Sequence, residues 1–98
     1  MKKKFILEKS NRKDKKLMIR NGKTIHFGAK GYQDFTTSKD SKKKKNYIKR
    51  HKVNEDFTNL KSAGAWSRFI LWEKKTIPAS IKSMENRFNI NIINKIKN

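Results

Sequence analysis

Cysteine is absent from this sequence of 98 residues, and no long apolar run is present. Without cysteine the chain can form no disulfide, no thiolate zinc site and no cysteine nucleophile. No apolar stretch reaches the roughly 18–20 residues that cross a bilayer. The apolar run 5–7 near the start ends at Glu8, far short of a signal-peptide core. These absences predict an intracellular protein, or one carried inside a particle, with no membrane span.

Acidic residues are also scarce, with 8 Asp and Glu against 27 Lys and Arg, which gives a formal net charge of +19. The imbalance is concentrated at the start: residues 1–52 hold 19 basic and 4 acidic residues, whereas residues 53–98 hold 8 and 4. A chain with so much excess positive charge repels itself and favours a polyanionic partner. We therefore expect the basic surface in the first half and the core helices in the second.

Residues that carry catalysis or bind metals are few and scattered. His26 and His51 are the only histidines, and without cysteine or clustered carboxylates they predict structural roles rather than metal ligands. No Ser/His/Asp order, paired carboxylate or metallonuclease pattern stands out among the eight acids. The sequence therefore predicts a protein that is not an enzyme and needs no cofactor or metal. A nuclease dependent on Asp34 or Asp40 is the weaker alternative.

The segment 62–72 is the one long stretch with almost no charge, and it holds both tryptophans. At helical spacing its apolar side chains cover most of the circumference, which is typical of a buried helix. Ser62 is a suitable N-cap for it. Arg68 is the only ionisable residue in the segment, and we expect it to form a buried ion pair, with a role in contacting a ligand as the alternative. Its candidate partners are Asp56, Glu73 and Glu85.

A β-hairpin is predicted over residues 17–27. Asn21-Gly22 separates two strand-like runs, and Asn-Gly is the strongest short hairpin signal because both turn positions need a positive φ. A two-residue loop places Met18 opposite Ile25, on the same face as Phe27. The other face then holds Leu17, Ile19, Thr24 and His26.

Three helices are predicted at about residues 41–53, 63–73 and 77–88. Asp40 is a suitable N-cap for the first, and Pro78 is tolerated in the first turn of the third. Residues 90–96 alternate at period two, which predicts a strand that pairs with the N-terminal one. We therefore expect an α+β fold, with residues 1–98 forming a single small basic domain. In it a small antiparallel sheet, made of the hairpin and the terminal strands, packs on two or three helices.

The lysine run 42–45 is the main functional candidate. A helix face so rich in lysine is typical of a surface that neutralises phosphates without distinguishing bases. Lysines in the first turn lie at the positive end of the helix dipole, which is unfavourable, so helix stability does not explain them. The alternative is a charged face that only promotes solubility. The predicted phosphate contacts are Lys30, Lys42, Lys43, Lys44, Lys45, Lys49 and Arg50.

The segment 28–31, Gly-Ala-Lys-Gly, could bring backbone N–H groups close to a phosphate. Its spacing matches the Gly-x-x-Gly loop of KH domains, but here it follows a strand, so a tight exit turn is the favoured interpretation. Tyr32 and Phe35 lie among basic residues, where aromatic rings can stack on exposed bases. We include both beside the predicted phosphate contacts, with the edge of the core as the alternative place for them.

A larger pattern resembles a known family. The stretch 24–36, the pair 39–40, and the segments 47–51 and 63–72 occur here in one order. Together they resemble a family of small basic proteins of unknown function from large and giant DNA viruses of algae and protists, over about residues 15–88. The resemblance implies a virion component, or a protein of the viral factory in the host cytoplasm. It implies no reaction.

Charge and resemblance together predict a non-enzymatic, largely sequence-independent nucleic-acid binder. Duplex DNA is the expected partner, and genome packaging or condensation the expected task. The alternative is a structural virion protein whose basic face binds acidic capsid or core proteins.

Overall fold

The computed structural model of the protein describes residues 2–96 and contains four strands and four short to medium helices. The strands are β1 (Lys4–Lys9), β2 (Lys15–Asn21), β3 (Lys23–Ala29) and β4 (Asn91–Asn94). The helices are α1 (Phe35–Ser38), α2 (Ser41–His51), α3 (Ala63–Trp66) and α4 (Ile77–Phe88). A π-helical segment, Ser67–Leu71, continues α3 directly. The predicted α+β class is confirmed.

The four strands form one sheet in the order β3-β2-β1-β4. The neighbours β1 and β2, and β2 and β3, are antiparallel. Strand β4 pairs with β1, as predicted, but the two run parallel, with Phe5 opposite Ile92. The sheet is therefore mixed rather than wholly antiparallel. A parallel pair needs a crossover connection, and the helical layer between β3 and β4 provides it.

The hairpin is present, but its register differs by one residue from the prediction. Arg20 lies opposite Thr24 and Asn21 opposite Lys23, so that Gly22, with a φ of 74°, alone makes the turn. Because side chains alternate at period two, this shift places Leu17 and Ile19 on the same face as Ile25 and Phe27, rather than on that of Thr24 and His26. The core face of β2 holds Leu17 and Ile19, at 5% and 1% exposure, and Met18 lies on the other face, opposite His26.

Side chains cap the helices where the sequence predicted them. The Asp40 carboxylate accepts hydrogen bonds from the N–H groups of Lys42 and Lys43, and Ser62 accepts one from Ala65. Pro78 lies in the first turn of α4. Helix α1 is not one of the three helices predicted from the sequence. Asp34 starts it with a reciprocal capping box, and this local signal was overlooked.

The core lies between one face of the sheet and the helical layer, with Trp66 at its centre. Trp66 is fully buried, its ring centroid is 5.0 Å from that of Phe5, and its indole N–H donates to the carbonyl oxygen of Leu60 at 2.8 Å. Ile70 and Met84 are also fully buried against it. This arrangement confirms that the apolar segment is the buried centre of the fold.

Candidate nucleic-acid interface

The outer face of α2 carries four lysines in one stripe, which we call the lysine stripe: Lys42, Lys45, Lys49 and Lys52. Their spacing of three, four and three residues places them on one side of a helix. The opposite side holds Tyr47, which is buried, and Lys44, Ile48 and His51, which are partly buried. Because α2 buries only that side, all four lysines of the stripe are exposed.

No ion pair neutralises the lysine stripe within the described residues. Four carboxylates form ion pairs elsewhere: Glu8 with Arg20, Asp14 with Arg12, Asp34 with Lys16, and Glu73 with Arg68. Glu55 Oε2 lies 3.4 Å from His51 Nδ1, a contact that is an ion pair only when the imidazole is protonated. The other three accept hydrogen bonds from backbone N–H groups: Asp40, Asp56 and Glu85. Within residues 2–96 the stripe side chains make no hydrogen bond or ion pair. The stripe is thus a surface of uncompensated positive charge.

Asp40 is the carboxylate nearest to the stripe in sequence. It accepts from the backbone N–H groups of Lys42 and Lys43 at 2.9 and 3.4 Å. A negative N-cap offsets the positive end of the helix dipole, and so it compensates in part for the lysines of the first turn. Helix formation is therefore compatible with the lysine run.

Two lysines of the predicted run have structural contacts instead. The Lys44 ammonium donates to the carbonyl oxygen of Glu73 at 2.7 Å and lies 5.1 Å from the centre of the Phe35 ring. Lys43 donates to the side-chain oxygen of Gln33 at 2.8 Å. These contacts attach α2 to the segments before and after it. The sequence could not separate these lysines from the stripe, because the partners are distant in sequence or uncharged.

The two aromatic candidates lie in different environments. Tyr32 is 75% exposed, whereas Phe35 is 6% exposed and lies under Lys44. Phe35 is thus a core residue at the start of α1, which is the alternative that the sequence left open. Lys30 is exposed, and its backbone N–H donates to the carbonyl oxygen of Asp14 at 3.1 Å. Among these candidates, Tyr32 and Lys30 present free side chains to solvent.

A cleft of about 400 Å³ opens beside α2. Its walls come from the end of β3, the turn that follows it, one side of α2 and the π-helical segment. The polar and aromatic side chains that line it include Lys16, Tyr32, Tyr47, Arg50, His51, Ser67 and Trp72. Of these, only Tyr32 and Arg50 were predicted as site residues from the sequence. No sequence motif points to Ser67 or Trp72, since both lie in what the sequence presents only as a core helix.

Three aromatic rings stack along one wall of the cleft. The centroid of Tyr47 is 4.2 Å from that of His51 and 4.3 Å from that of Trp72, with interplanar angles of 29° and 6°. The Tyr47 hydroxyl donates to Ser67 Oγ at 3.3 Å. Burial raises the pKa of Tyr47, and the hydrogen bond with Ser67 offsets this only in part. The phenol therefore stays protonated at neutral pH.

Ion pairs support the cleft and the core beside it. Lys16 Nζ lies 2.6 Å from Asp34 Oδ2 and also donates to the carbonyl oxygen of Tyr32 at 2.6 Å. Arg68 Nη1 lies 2.6 Å from Glu73 Oε1. Burial opposes ionisation of Glu73, but the hydrogen bond and charge of Arg68 outweigh it and lower the pKa of that carboxyl. The expected ion pair of Arg68 is confirmed, with Glu73 as its partner.

The comparison with known families agrees with part of the resemblance. Residues 5–51 match the model of a family described as "Family of unknown function (DUF5754)". The chain is thus similar to an uncharacterised family from β1 to the end of α2, a segment that includes most of the lysine stripe. Searches among curated proteins and among solved structures gave no significant match. The viral origin stays a prediction.

The described residues contain neither a cluster of metal-binding side chains nor a membrane-spanning helix. Within residues 2–96, no three His, Asp or Glu side chains come together in a group that could hold a metal ion. In the same part of the chain no helix has the length and apolar character needed to cross a membrane.

Proposed function

We propose that the protein binds the phosphate backbone of nucleic acid, with duplex DNA as the main partner and without reading base sequence. The carrying observation is the lysine stripe, whose four ammonium groups have no ion-pair partner within residues 2–96. Phosphate contacts by lysine give affinity and position but carry no sequence information. Lys30, Lys43 and Arg50 extend the basic surface toward the cleft.

The dimensions of the stripe fit a strand of phosphates. Lys42 and Lys52 are ten residues apart, or about 15 Å along a helix axis. A stripe of this length can follow several phosphates of one strand, and with one phosphate for each lysine it makes four contacts. Four such contacts predict a slope of about −3.6 in a plot of log affinity against log salt concentration.

The test compares two triple variants with equal loss of charge. One replaces Lys42, Lys45 and Lys49 of the stripe by Gln; the other replaces Lys9, Lys61 and Lys82, which are exposed on other elements. Binding to a blunt duplex is measured by fluorescence anisotropy over a range of salt concentrations. We expect the stripe variant to reduce the salt slope by about 2.7, and the control variant to change it much less. Equal slopes for the two variants would reject the stripe as the binding surface.

We also propose that the protein has no nuclease activity, and this can be tested separately from DNA binding. Asp34 and Asp40 are both used in helix caps, and Asp34 also pairs with Lys16. We expect labelled DNA to stay intact after incubation with the protein and Mg²⁺. Cleavage that depends on the metal and is lost in Asp34→Ala or Asp40→Ala would contradict this proposal.

The resemblance to a family of viral proteins supports a proposal for where the protein acts. A small basic protein of a large DNA virus is suited to neutralising a packaged genome, so we propose a place in the virion or the viral factory, with a task in genome packaging or condensation. The check is whether the protein co-sediments with the genome in purified particles, and at what copy number. Absence from both particles and factories would contradict this setting.

A second candidate function, binding of acidic capsid or core proteins, is favoured by a separate cleft. This cleft, of about 530 Å³, lies at the tip of the hairpin, and no carboxylate lines it. Its apolar lining includes Phe5, Ile19, Ile25 and Leu60, and its lysines are Lys3, Lys23 and Lys61. An acidic peptide with one leucine should bind there, and replacing Lys23 and Lys61 by Glu should abolish this binding while duplex binding remains. Unchanged peptide binding in that variant would dismiss the second function.

A further inference from the structure

We propose that the cleft beside α2 accepts one unpaired nucleotide of the strand that the lysine stripe holds. This inference depends on the proposed function, and it adds a preference for DNA with ends, overhangs or single-stranded segments. Duplex binding by the stripe alone would not require such a preference. Four features of the cleft support this preference: its continuity with the stripe, its charge, its aromatic rings and its size.

The cleft is continuous with the stripe. Arg50 lines the cleft and directly follows Lys49 of the stripe on α2. On the same side of the helix, Lys43 is hydrogen-bonded to Gln33, which is also part of the cleft wall. A strand whose phosphates contact the stripe therefore passes the mouth of the cleft within one helical turn.

The charge of the cleft suits a phosphate. Its one acidic side chain among the lining residues, Asp34, is 3% exposed and is neutralised by Lys16 at 2.6 Å. The guanidinium of Arg50 makes no hydrogen bond or ion pair within residues 2–96, so its five N–H donors are available. Arginine binds phosphate in a fork geometry that lysine lacks. The cleft thus offers a free phosphate donor, and Glu55, which does not line the cleft, lies 3.4 Å from His51 Nδ1.

The ring surfaces suit a base. His51, Tyr47 and Trp72 form a continuous stack in the wall, and Tyr32, 75% exposed, stands at the rim. Every base has a π-face, so stacking on aromatic side chains is tolerant of sequence. The hydroxyl groups of Tyr47 and Ser67 add polar partners next to the rings. These groups would hold a base without selecting one.

The volume of the cleft favours an unpaired nucleotide over a base pair as its occupant. A volume of about 400 Å³ lies in the usual range for small-molecule sites, roughly 300–1,000 Å³. Such a cleft can enclose one nucleotide but not a base pair with both strands. Only a nucleotide released from the duplex stack can therefore enter.

Tryptophan fluorescence provides a direct readout of the cleft. Trp72 lines it, whereas Trp66 is fully buried in the core. The experiment titrates the protein with three DNAs: a blunt duplex, the same duplex with a short overhang, and a single strand as long as one strand of the blunt duplex. We expect the overhang to raise affinity by roughly tenfold, the effect of one stacked base, and to quench fluorescence. Quenching should disappear in Trp72→Phe.

The ratio of the affinities for overhanging and blunt duplex separates the cleft from the stripe. Arg50→Gln and Tyr32→Ala should both bring this ratio close to one. Arg50→Gln also removes a charge of the basic surface and should lower blunt-duplex binding, whereas Lys82→Gln, a matched loss of one charge on α4, should leave the ratio unchanged. Equal affinity for blunt and overhanging duplex, with no quenching, would overturn the cleft proposal and leave the stripe intact. Quenching by single strands without blunt-duplex binding would support the cleft and reject the duplex function. No binding of any DNA would reject both.

Discussion

Lys44 donates a hydrogen bond of 2.7 Å to the carbonyl oxygen of Glu73, whereas its neighbour Lys45 points away into solvent as part of the lysine stripe. Two adjacent residues of the same type therefore have different tasks. Lys44 attaches α2 to the end of the central helical segment, and Lys45 contributes uncompensated charge.

This difference predicts that the same substitution mainly lowers stability at Lys44 and mainly weakens DNA binding at Lys45. Lys44→Gln should reduce the free energy of unfolding by about 1.5–3 kcal/mol, the usual contribution of a hydrogen bond to a charged group. Lys45→Gln should change it by less than about 0.5 kcal/mol, as for an exposed side chain. In duplex binding the order should reverse. Urea unfolding and anisotropy measure the two quantities; a larger loss of stability in Lys45→Gln would contradict the assignment.

The Arg68–Glu73 pair predicts a stability that depends on pH. Because the pKa of Glu73 is lowered in the folded state from its ordinary value of 4.5, the pair stabilises the fold above that value. This contribution is lost as the pH falls through the lowered pKa. Glu73→Gln should therefore be less stable than the parent protein at pH 7, and the difference should shrink below about pH 4.5. Urea unfolding at several pH values tests this, and a difference that grows in acid would refute it.

Gly28 is predicted to tolerate alanine much less well than Gly22. Both have positive φ, 79° and 74°, which costs any other residue about 1–2 kcal/mol. At Gly28 an added Cβ would also lie 2.6 Å from Leu71 Cδ1 and 3.3 Å from Lys16 Cβ, whereas Gly22 has open space. Overpacking adds roughly 1–3 kcal/mol. Thermal unfolding of Gly28→Ala and Gly22→Ala should show the larger loss at Gly28; equal losses would mean that the clash is relieved by movement.

The hairpin register can be tested with two neighbouring substitutions. Ile19 is 1% exposed on the core face, and Met18 is partly exposed on the other. Ile19→Ala should cost about 2–5 kcal/mol of unfolding free energy, and Met18→Ala should cost less than half as much. In the observed register Ile19 lies opposite Ile25 and Met18 opposite His26, so a larger loss at Met18 than at Ile19 would contradict it. Chemical unfolding of the two variants measures both losses.

Sequence patterns predicted most of the elements because each signal was local. The caps Asp40 and Ser62, the periodicity of α4 and the alternation in β4 all act within a few residues, and all three helix predictions correspond to helical segments of the structure. The register of the hairpin failed because the turn motif permits more than one loop length. Leu17 and Ile19 of β2 are buried in the same core cluster as Trp66. Trp66 is distant in sequence, so the local turn motif carries no information about this burial.

The candidate site was predicted less completely. Excess positive charge at Lys45 and Lys49 could be inferred from the sequence, because basic residues are dense and acidic ones scarce in this segment. The role of Lys44 could not, because its acceptor is a backbone carbonyl 29 residues away. The cleft could not be anticipated either, since Trp72 and Tyr47 become neighbours only when α2 packs on the central helical segment.

The parallel pairing of β1 with β4 has a consequence for the order of events during synthesis. The first strand of the sheet pairs with a strand that follows the whole helical layer in the chain. Contacts of such high sequence separation slow folding, because a long loop must close before they form. The polycationic helix α2 is therefore made well before the sheet can be completed, so its lysine stripe is present on the nascent chain before the core that supports it has closed.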